Sequence, residues 1–198
     1  PSGGGDVLMG SIITRDNALH MRLKLAHMRL GLGVGMNDVE LVLRSLPSTA
    51  LRYHAQDKTA RQLAAALQRQ NAVKQLLHPA FASSPGHAHW QQLCATPENP
   101  AGAAAGIFSV VFDAPQSQVD DFCNRLQLFK LGYSWGGHIS LVMPYALDEM
   151  RDLGRGAVLP GCLVRLCIGL EEAADLERDV AQAYGQAFGH AWRGQGVH

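Results

Sequence analysis

The sequence has no excess of charge of either sign and no long apolar run. Its 17 Lys and Arg residues balance 17 Asp and Glu residues, so the formal net charge at pH 7 is zero. Without a basic excess, the composition gives no indication of a nucleic acid partner or of an anionic membrane surface. No uninterrupted apolar stretch reaches the roughly 20 residues that a membrane-spanning helix needs. We therefore expect no nucleic acid partner and no membrane span.

Cysteines are few, and their spacing excludes two common kinds of site. No two of them form a C-x-x-C pair, which leaves a zinc ribbon or a thioredoxin-type motif unsupported. The chain begins without a signal-like segment, so we expect reduced thiols in a cytoplasmic protein. Each thiol is expected to be a small buried apolar group. The four residues are Cys94, Cys123, Cys162 and Cys167.

Several catalytic motifs are also missing. The glycine triplet of Gly3–Asp6 is followed by neither a P-loop lysine nor G-x-G-x-x-G spacing, so a turn before a strand is the simpler interpretation. No G-x-S-x-G elbow and no paired carboxylates are evident. His87 and His89 have no cysteine or acidic ligands around them, and no metal site is predicted. These stretches by themselves offer no obvious nucleophile or base.

The first part of the chain predicts too few elements to close a core. We expect a strand over 7–14, a helix capped by Asp16 or Asn17, and a second helix capped by Asn37 or Asp38 that ends near Leu46. One strand and two helices cannot bury a core alone. Residues 1–46 are therefore interpreted as the tail of a domain that begins before Pro1.

The remainder alternates strand and helix patterns. This order predicts an α/β domain with helices on one face of a small sheet. Its helices are expected over 48–69, 116–126 and 171–188, its strands over 72–77, 106–112, within 128–144 and around Arg165, and a loop over 78–90.

Arg165 places a permanent charge inside the apolar run "CLVRLCIGLEE". The neighbouring apolar residues predict a strand that is buried on both faces. A buried guanidinium needs an anionic partner. Two interpretations stand: a structural ion pair with a carboxylate of the fold, or a fork that grips a ligand carboxylate with two parallel hydrogen bonds.

The stretch "YSWGG", Tyr133–Gly137, also has two interpretations. It predicts either an ordinary hairpin turn with Trp135 packed on the core, or an irregular backbone that approaches a ligand closely.

Five stretches, in order, resemble one enzyme family. The chain is similar to the C-terminal half of the pyridoxal-phosphate (PLP) enzymes of cysteine and methionine metabolism, and within that family to the cystathionine β-lyases. The five stretches are "PSGGGDVLMGSIIT", "LRSLPSTALRYHAQ", "LLHPAFASSPGHAHW", "SWGGHISL" and "LVRLCIGLEE".

The resemblance implies a fold and a substrate site. Residues 1–46 would be the C-terminal part of the large PLP-binding domain of a fold-type-I, aminotransferase-like enzyme, and 47–198 its small α/β domain. Arg165 matches the arginine that binds the substrate α-carboxylate. Ser134 and Trp135 match residues that line the same site, with Tyr133 as a further contact. Homotetramers with active sites between subunits are usual in this family.

The resemblance also implies a reaction and a missing group. The implied reaction is α,β-elimination on cystathionine, a thioether, which gives homocysteine, pyruvate and ammonia. The position of Trp135 directly after the serine favours β-lyases within the family. The alternatives are a γ-lyase, γ-synthase or cysteine desulfhydrase, or a non-catalytic anion-binding module. Ile139 departs from the glutamate usual before Ser140. The chain has no catalytic residue of its own, because the cofactor lysine is expected just before Pro1, in an N-terminal part that would be its partner.

Overall fold

The computed structural model describes residues 1–147 and 161–194. The chain divides into two compact units, Pro1–Ala50 and Leu51–His198. The first unit contains helix α1 (Asn17–Arg29), helix α2 (Met36–Ser45) and a 3₁₀ turn, Leu46–Ser48. Asp16 caps α1 as expected, since its Oδ1 accepts a hydrogen bond of 2.7 Å from the Leu19 backbone N–H.

Two predictions for the first unit are wrong. The segment 7–14 has no regular secondary structure, because strand-forming residues need a neighbouring strand and this unit offers none among its described residues. Helix α2 is preceded by Gly35 in an extended conformation, and no side chain caps it. Asn37 and Asp38 therefore lie inside the first turn, where the Asp38 carboxylate faces the positive end of the helix dipole.

The second unit confirms the predicted alternation of strands and helices. Helix α3 crosses from the first unit into it. One prediction is wrong here: the expected loop over 78–90 contains the start of helix α4, which includes His87 and His89. The elements are α3 (Thr49–Gln68), β1 (Val73–Leu77), α4 (His87–Cys94), β2 (Ile107–Phe112), α5 (Gln116–Arg125), β3 (Lys130–Leu131), β4 (Leu141–Tyr145), β5 (Cys162–Cys167) and α6 (Ala173–Phe188).

The five strands form one sheet in the order β1-β2-β5-β4-β3. All neighbours are antiparallel except β3 and β4, which run parallel. The sheet and helices α3, α5 and α6 share one core, so the fold class is confirmed as mixed α/β. Members of this core include Leu67, Phe108, Phe112, Phe122, Val164, Leu166, Leu176, Val180 and Tyr184.

Alternation along β5 gives its two faces different environments. Val164 and Leu166 point into the core and are fully buried, whereas Leu163 and Arg165 lie on the opposite face and are half-buried. The expectation that this strand is buried on both faces is therefore wrong at Arg165. The register places Ser109 of β2 and Met143 of β4 on either side of the arginine.

The cysteines follow the expectation in part. Cys123 and Cys167 are buried, and burial raises the pKa of Cys123 to about 12, with a smaller contribution from the nearby Asp120 carboxylate. Cys94 is exposed near the end of α4, so its predicted burial is wrong. No helix in the described part of the chain is long and apolar enough to cross a membrane.

His78 is a fully buried titratable group with an unusual environment. Its Nδ1 accepts a hydrogen bond of 3.2 Å from the Ala80 N–H, and its Nε2 has no partner within the described ranges. The ring packs against Phe81 and Phe108. Burial, together with the positive charge of Arg61, lowers the pKa of His78 to about 4. The folded protein therefore holds this imidazole neutral.

We expect the stability of the protein to fall between pH 6.5 and pH 4 because of this residue. An unfolded histidine binds a proton near pH 6.5, whereas folded His78 does so only near pH 4. The unfolding free energy is therefore unaffected by His78 protonation above pH 6.5. Up to about 3 kcal/mol of it is lost as the pH falls to 4, because the unfolded state binds a proton there that the folded state does not. The His78→Asn variant, whose amide oxygen can accept from Ala80, should show a flatter pH dependence in urea unfolding.

The control is His54→Asn, because His54 is exposed on α3. This variant should keep the slope of the parent protein. If the unfolding free energy of His78→Asn falls with pH as steeply as that of the parent protein, groups other than His78 cause the acid destabilisation.

Candidate active site

The guanidinium of Arg165 is held by backbone carbonyls and two aromatic rings. Its Nη2 donates to the Gly132 carbonyl at 3.1 Å and approaches the Ser134 carbonyl at 3.5 Å. Its central carbon lies 5.7 Å from the Trp135 ring centroid and 5.8 Å from that of Tyr145. Both distances fall in the range of cation–π attraction. These contacts fix the head group, and none of them brings a carboxylate to it.

No carboxylate within residues 1–147 and 161–194 forms an ion pair with Arg165. The structural ion pair that the sequence left open is therefore not found in the described structure. The hydrogen bonds that Arg165 makes there come from Nη2 alone. Because a guanidinium has five N–H donors, Nε and Nη1 are available to an incoming acceptor. A carboxylate that accepts two parallel hydrogen bonds takes one from Nε or Nη1 and the other from the second N–H of Nη2, because each pair of parallel guanidinium donors includes Nη2.

The segment Ser134–Ser140, called the 134–140 loop below, connects β3 to β4 beside Arg165. It is not a hairpin turn, since these two strands are parallel. Trp135 does not pack on the core either, because it is 65% exposed. The first interpretation of this stretch is therefore wrong. Gly136 has φ +78°, a conformation that disfavours side chains, and it allows the backbone to pass close to the end of β5.

Three contacts with neighbouring elements fix the middle of the 134–140 loop. The Gly136 N–H donates to the Cys167 sulfur at 3.3 Å, and burial raises the pKa of that thiol. The Gln56 side chain on α3 donates to the Gly137 carbonyl at 2.7 Å. The Leu170 N–H donates to the His138 carbonyl at 2.9 Å. The loop is thus shaped by its surroundings although much of its surface is exposed.

The structure brings three of the four predicted substrate-site residues into direct contact. Ser134 reaches Arg165 through its carbonyl, and Trp135 through its ring. Tyr133 lies between the two residues whose carbonyls face Arg165, but its side chain is 64% exposed and its ring centroid lies 6.5 Å from that of Tyr145. Their role in binding substrate stays a prediction.

Sequence reasoning missed Tyr145 and Gln56. Tyr145 lies two residues after Met143, the cross-strand neighbour of Arg165, so strand alternation places both on the arginine's face. That signal depended on the register, which the sequence did not provide. Gln56 lies in a stretch that resembles the family, yet its contact spans 81 positions of the chain.

The two histidines whose spacing could suit a metal, His87 and His89, both lie on α4. His87 Nδ1 lies 2.8 Å from the Pro79 carbonyl, and its ring packs 5.6 Å from the ring of Trp90. Within the described ranges, no group of three or more His, Cys, Asp or Glu residues is placed to hold a metal ion.

An amine that could bind pyridoxal phosphate covalently is not among the residues around Arg165. The chain has four lysines. Lys74 lies 4.0 Å from Asp113, and Lys130 donates to the Gln127 carbonyl. Lys24 and Lys58 are exposed on α1 and α3. The described residues around Arg165 therefore fit a substrate carboxylate, and none of them supplies the amine that would hold the cofactor covalently.

Comparisons with known proteins point to one family. The chain matches the model described as "Cys/Met metabolism PLP-dependent enzyme" over residues 2–185. It is 36% identical to cystathionine beta-lyase of Bordetella avium over 188 residues, covering 93% of this chain and 45% of that protein. It is 31% identical to cystathionine gamma-synthase of Mycobacterium tuberculosis, covering 92% and 46% respectively.

A solved structure extends the match to three dimensions. Cystathionine gamma synthase from Xanthomonas oryzae pv. oryzae, in complex with aminoacrylate and cysteine, superposes with a TM-score of 0.79 at 28% identity, covering 95% of this chain and 48% of that one. The chain spans about half the length of the relatives it matches. With 184 of its residues inside the family match, the chain belongs to the PLP-dependent enzymes of Cys/Met metabolism.

Proposed function

We propose that this chain supplies the substrate-carboxylate site of a PLP-dependent carbon–sulfur lyase that performs α,β-elimination on cystathionine. The observation that supports it most directly is the charge of Arg165, which meets no carboxylate in the described structure and keeps two sets of donors available. In a family whose members act on amino acids of cysteine and methionine metabolism, the missing anion is the α-carboxylate of the substrate.

Arg165 acts by positioning. Its fork holds the α-carboxylate, and the carbonyls of Gly132 and Ser134 hold the fork, so the amino acid is presented in one orientation. Trp135 and Tyr145 flank the guanidinium at cation–π distance and add to the fixing of its orientation. Pyridoxal phosphate, when bound, would supply an electron sink for negative charge at the Cα of the substrate. The lysine that removes the α-proton would come from sequence outside this chain.

Two features favour β-elimination within the family. Trp135 directly follows Ser134, an order that resembles β-lyases, whereas the γ-enzymes usually have a smaller apolar residue there. Two relatives at 35–36% identity are named cystathionine beta-lyase or putative cystathionine beta-lyase. A γ-synthase relative at 31% identity makes γ-chemistry the alternative that an experiment must separate.

The organisation of the complete enzyme is part of the proposal. Residues 1–46 would complete a PLP-binding domain and residues 47–198 would form the small domain that contains Arg165. The partner would be the lysine-bearing part of the same enzyme, within a homotetramer.

The experiment is product analysis with the complete enzyme and cystathionine. We expect pyruvate, ammonia and homocysteine in equal amounts. A yellow absorbance that borohydride bleaches should accompany the activity, because it reports the lysine-bound cofactor. Formation of 2-oxobutyrate and cysteine would replace the β-lyase assignment by a γ-lyase. A protein without that absorbance would be the non-catalytic anion-binding module.

A further inference from the structure

Glu171 uses both of its carboxylate oxygens on a single residue, Ser140. Its Oε1 accepts a hydrogen bond of 2.7 Å from the Ser140 backbone N–H, and its Oε2 accepts one of 2.8 Å from the Ser140 hydroxyl. Ser140 is fully buried. Hydrogen bonds to an ionised acceptor are among the stronger ones in proteins. This pair therefore fixes the C-terminal end of the 134–140 loop.

The Ser140 hydroxyl extends the contact to the end of β5. It accepts a hydrogen bond of 2.9 Å from the Gly169 N–H while it donates to Glu171. The two backbones approach so closely that a side chain at Gly169 cannot be accommodated: a Cβ there would lie 2.3 Å from the His138 carbonyl oxygen. The segment 169–171 and the end of the 134–140 loop thus form one joined unit.

The other end of the same loop holds Arg165. The Ser134 carbonyl, at the loop's first residue, and the Gly132 carbonyl just before it face the guanidinium. Movement of the 134–140 loop would displace these carbonyls and the Trp135 ring together. Glu171 binds the last residue of this loop, Ser140, at the end opposite to the carbonyls that face the arginine.

We propose that Glu171 is a positioning residue for substrate binding, which acts through Ser140 and the 134–140 loop to hold Arg165 in its carboxylate-binding orientation. The proposal rests on the proposed function of Arg165 and deepens it. The side-chain hydrogen bonds that the described structure gives Glu171 go to Ser140 and not to the guanidinium. Replacing Glu171 should therefore weaken the binding of ligands that have an α-carboxylate more than the binding of amines that lack one.

The experiment compares two small ligands in the complete enzyme. L-alanine has the α-carboxylate and no leaving group, and ethylamine is the same molecule without the carboxylate. Dissociation constants for both are measured from the change in cofactor absorbance, and their ratio reports the carboxylate site. The variants are Glu171→Ala, Glu171→Gln and Ser140→Ala. The matched control is Glu172→Gln, since Glu172 is the exposed neighbouring carboxylate and makes no side-chain capping bond.

We expect Glu171→Ala and Ser140→Ala to lower the preference for L-alanine over ethylamine by about tenfold or more, as misplacement of a binding group does. Glu171→Gln keeps one acceptor and should lie between them and the parent enzyme. Glu172→Gln should keep the parent ratio. General loosening of the fold would weaken both ligands together and leave the ratio unchanged.

The possible results distinguish the role of Glu171 from the role of Arg165. A parent enzyme that does not prefer L-alanine would overturn the role of Arg165 and this inference with it. A parent enzyme that prefers L-alanine, with variants that keep the same ratio, would overturn the role of Glu171 alone. If Glu171→Ala does not fold, the ratios of Glu171→Gln and Ser140→Ala decide.

Discussion

Replacing Arg165 by alanine in the complete enzyme should lower kcat/KM for cystathionine by about 100-fold to 10,000-fold. A hydrogen bond to a charged group contributes about 1.5–3 kcal/mol, and the fork offers two to the substrate carboxylate. Because the described contacts of Arg165 are with loop carbonyls and rings, its removal should not affect cofactor binding. The loss should appear in KM, while the cofactor absorbance stays at its parent value.

Two further variants make this prediction specific. Arg165→Lys keeps the positive charge without the planar fork, and it should recover only part of the activity. Arg125→Ala removes an arginine whose carboxylate contact is a surface ion pair with Asp121, and it should leave KM unchanged. Parent kinetics in Arg165→Ala would show that this guanidinium is not the carboxylate receptor.

The sequence predicted the site's residues better than the site's shape. Arg165 was identified because a charge in an apolar strand requires an anion, and the family resemblance said which one. Its actual setting depends on register: β5 lies between β2 and β4, so Ser109 and Met143 are its neighbours. Neither the pairing with β2, more than 50 positions away, nor that with β4, about 20 positions away, is encoded in local periodicity. Tyr145 was missed for that reason.

Errors in the local predictions have a similar origin. Residues 7–14 have strand propensity, but among the described residues of their unit there is no strand for them to pair with. The 134–140 loop has the glycines of a hairpin, yet β3 and β4 are parallel, so the chain must turn twice between them. In both cases tertiary pairing decided an outcome that composition left open. Helices such as α5, which need only local hydrogen bonds, were predicted within a residue of their observed ends.

A carboxylate on helix α6 binds the backbone just before β3. Asp179 on α6 is buried, and its carboxylate accepts hydrogen bonds of 2.8 Å from the backbone N–H groups of both Gln127 and Leu128. A third, longer contact of 3.4 Å comes from the Phe129 N–H. One side chain thus accepts hydrogen bonds from three consecutive backbone N–H groups between α5 and β3. The last of them, at Phe129, lies three residues before Gly132.

The Asp179→Ala variant should lose about 3 kcal/mol of unfolding free energy, measured by urea denaturation. Each partly buried N–H left without an acceptor costs about 1–3 kcal/mol, reduced where water reaches it. Asp179→Asn keeps one acceptor oxygen and should lose less. Asp121→Ala removes a carboxylate that makes a surface ion pair, and should change stability by less than about 1 kcal/mol. An Asp179→Ala protein as stable as the parent would show that these backbone groups find other partners.

The same variant separates stability from recognition. Asp179 lies among the core helices and Arg165 on the opposite face of the sheet, so folded Asp179→Ala protein should retain most of the parent preference for L-alanine over ethylamine. Glu171→Ala should do the reverse, losing that preference with a smaller loss of stability. If both variants lost stability and preference in proportion, the two faces of the sheet would be energetically coupled, and carboxylate recognition would depend on the whole small sheet instead of on the 134–140 loop.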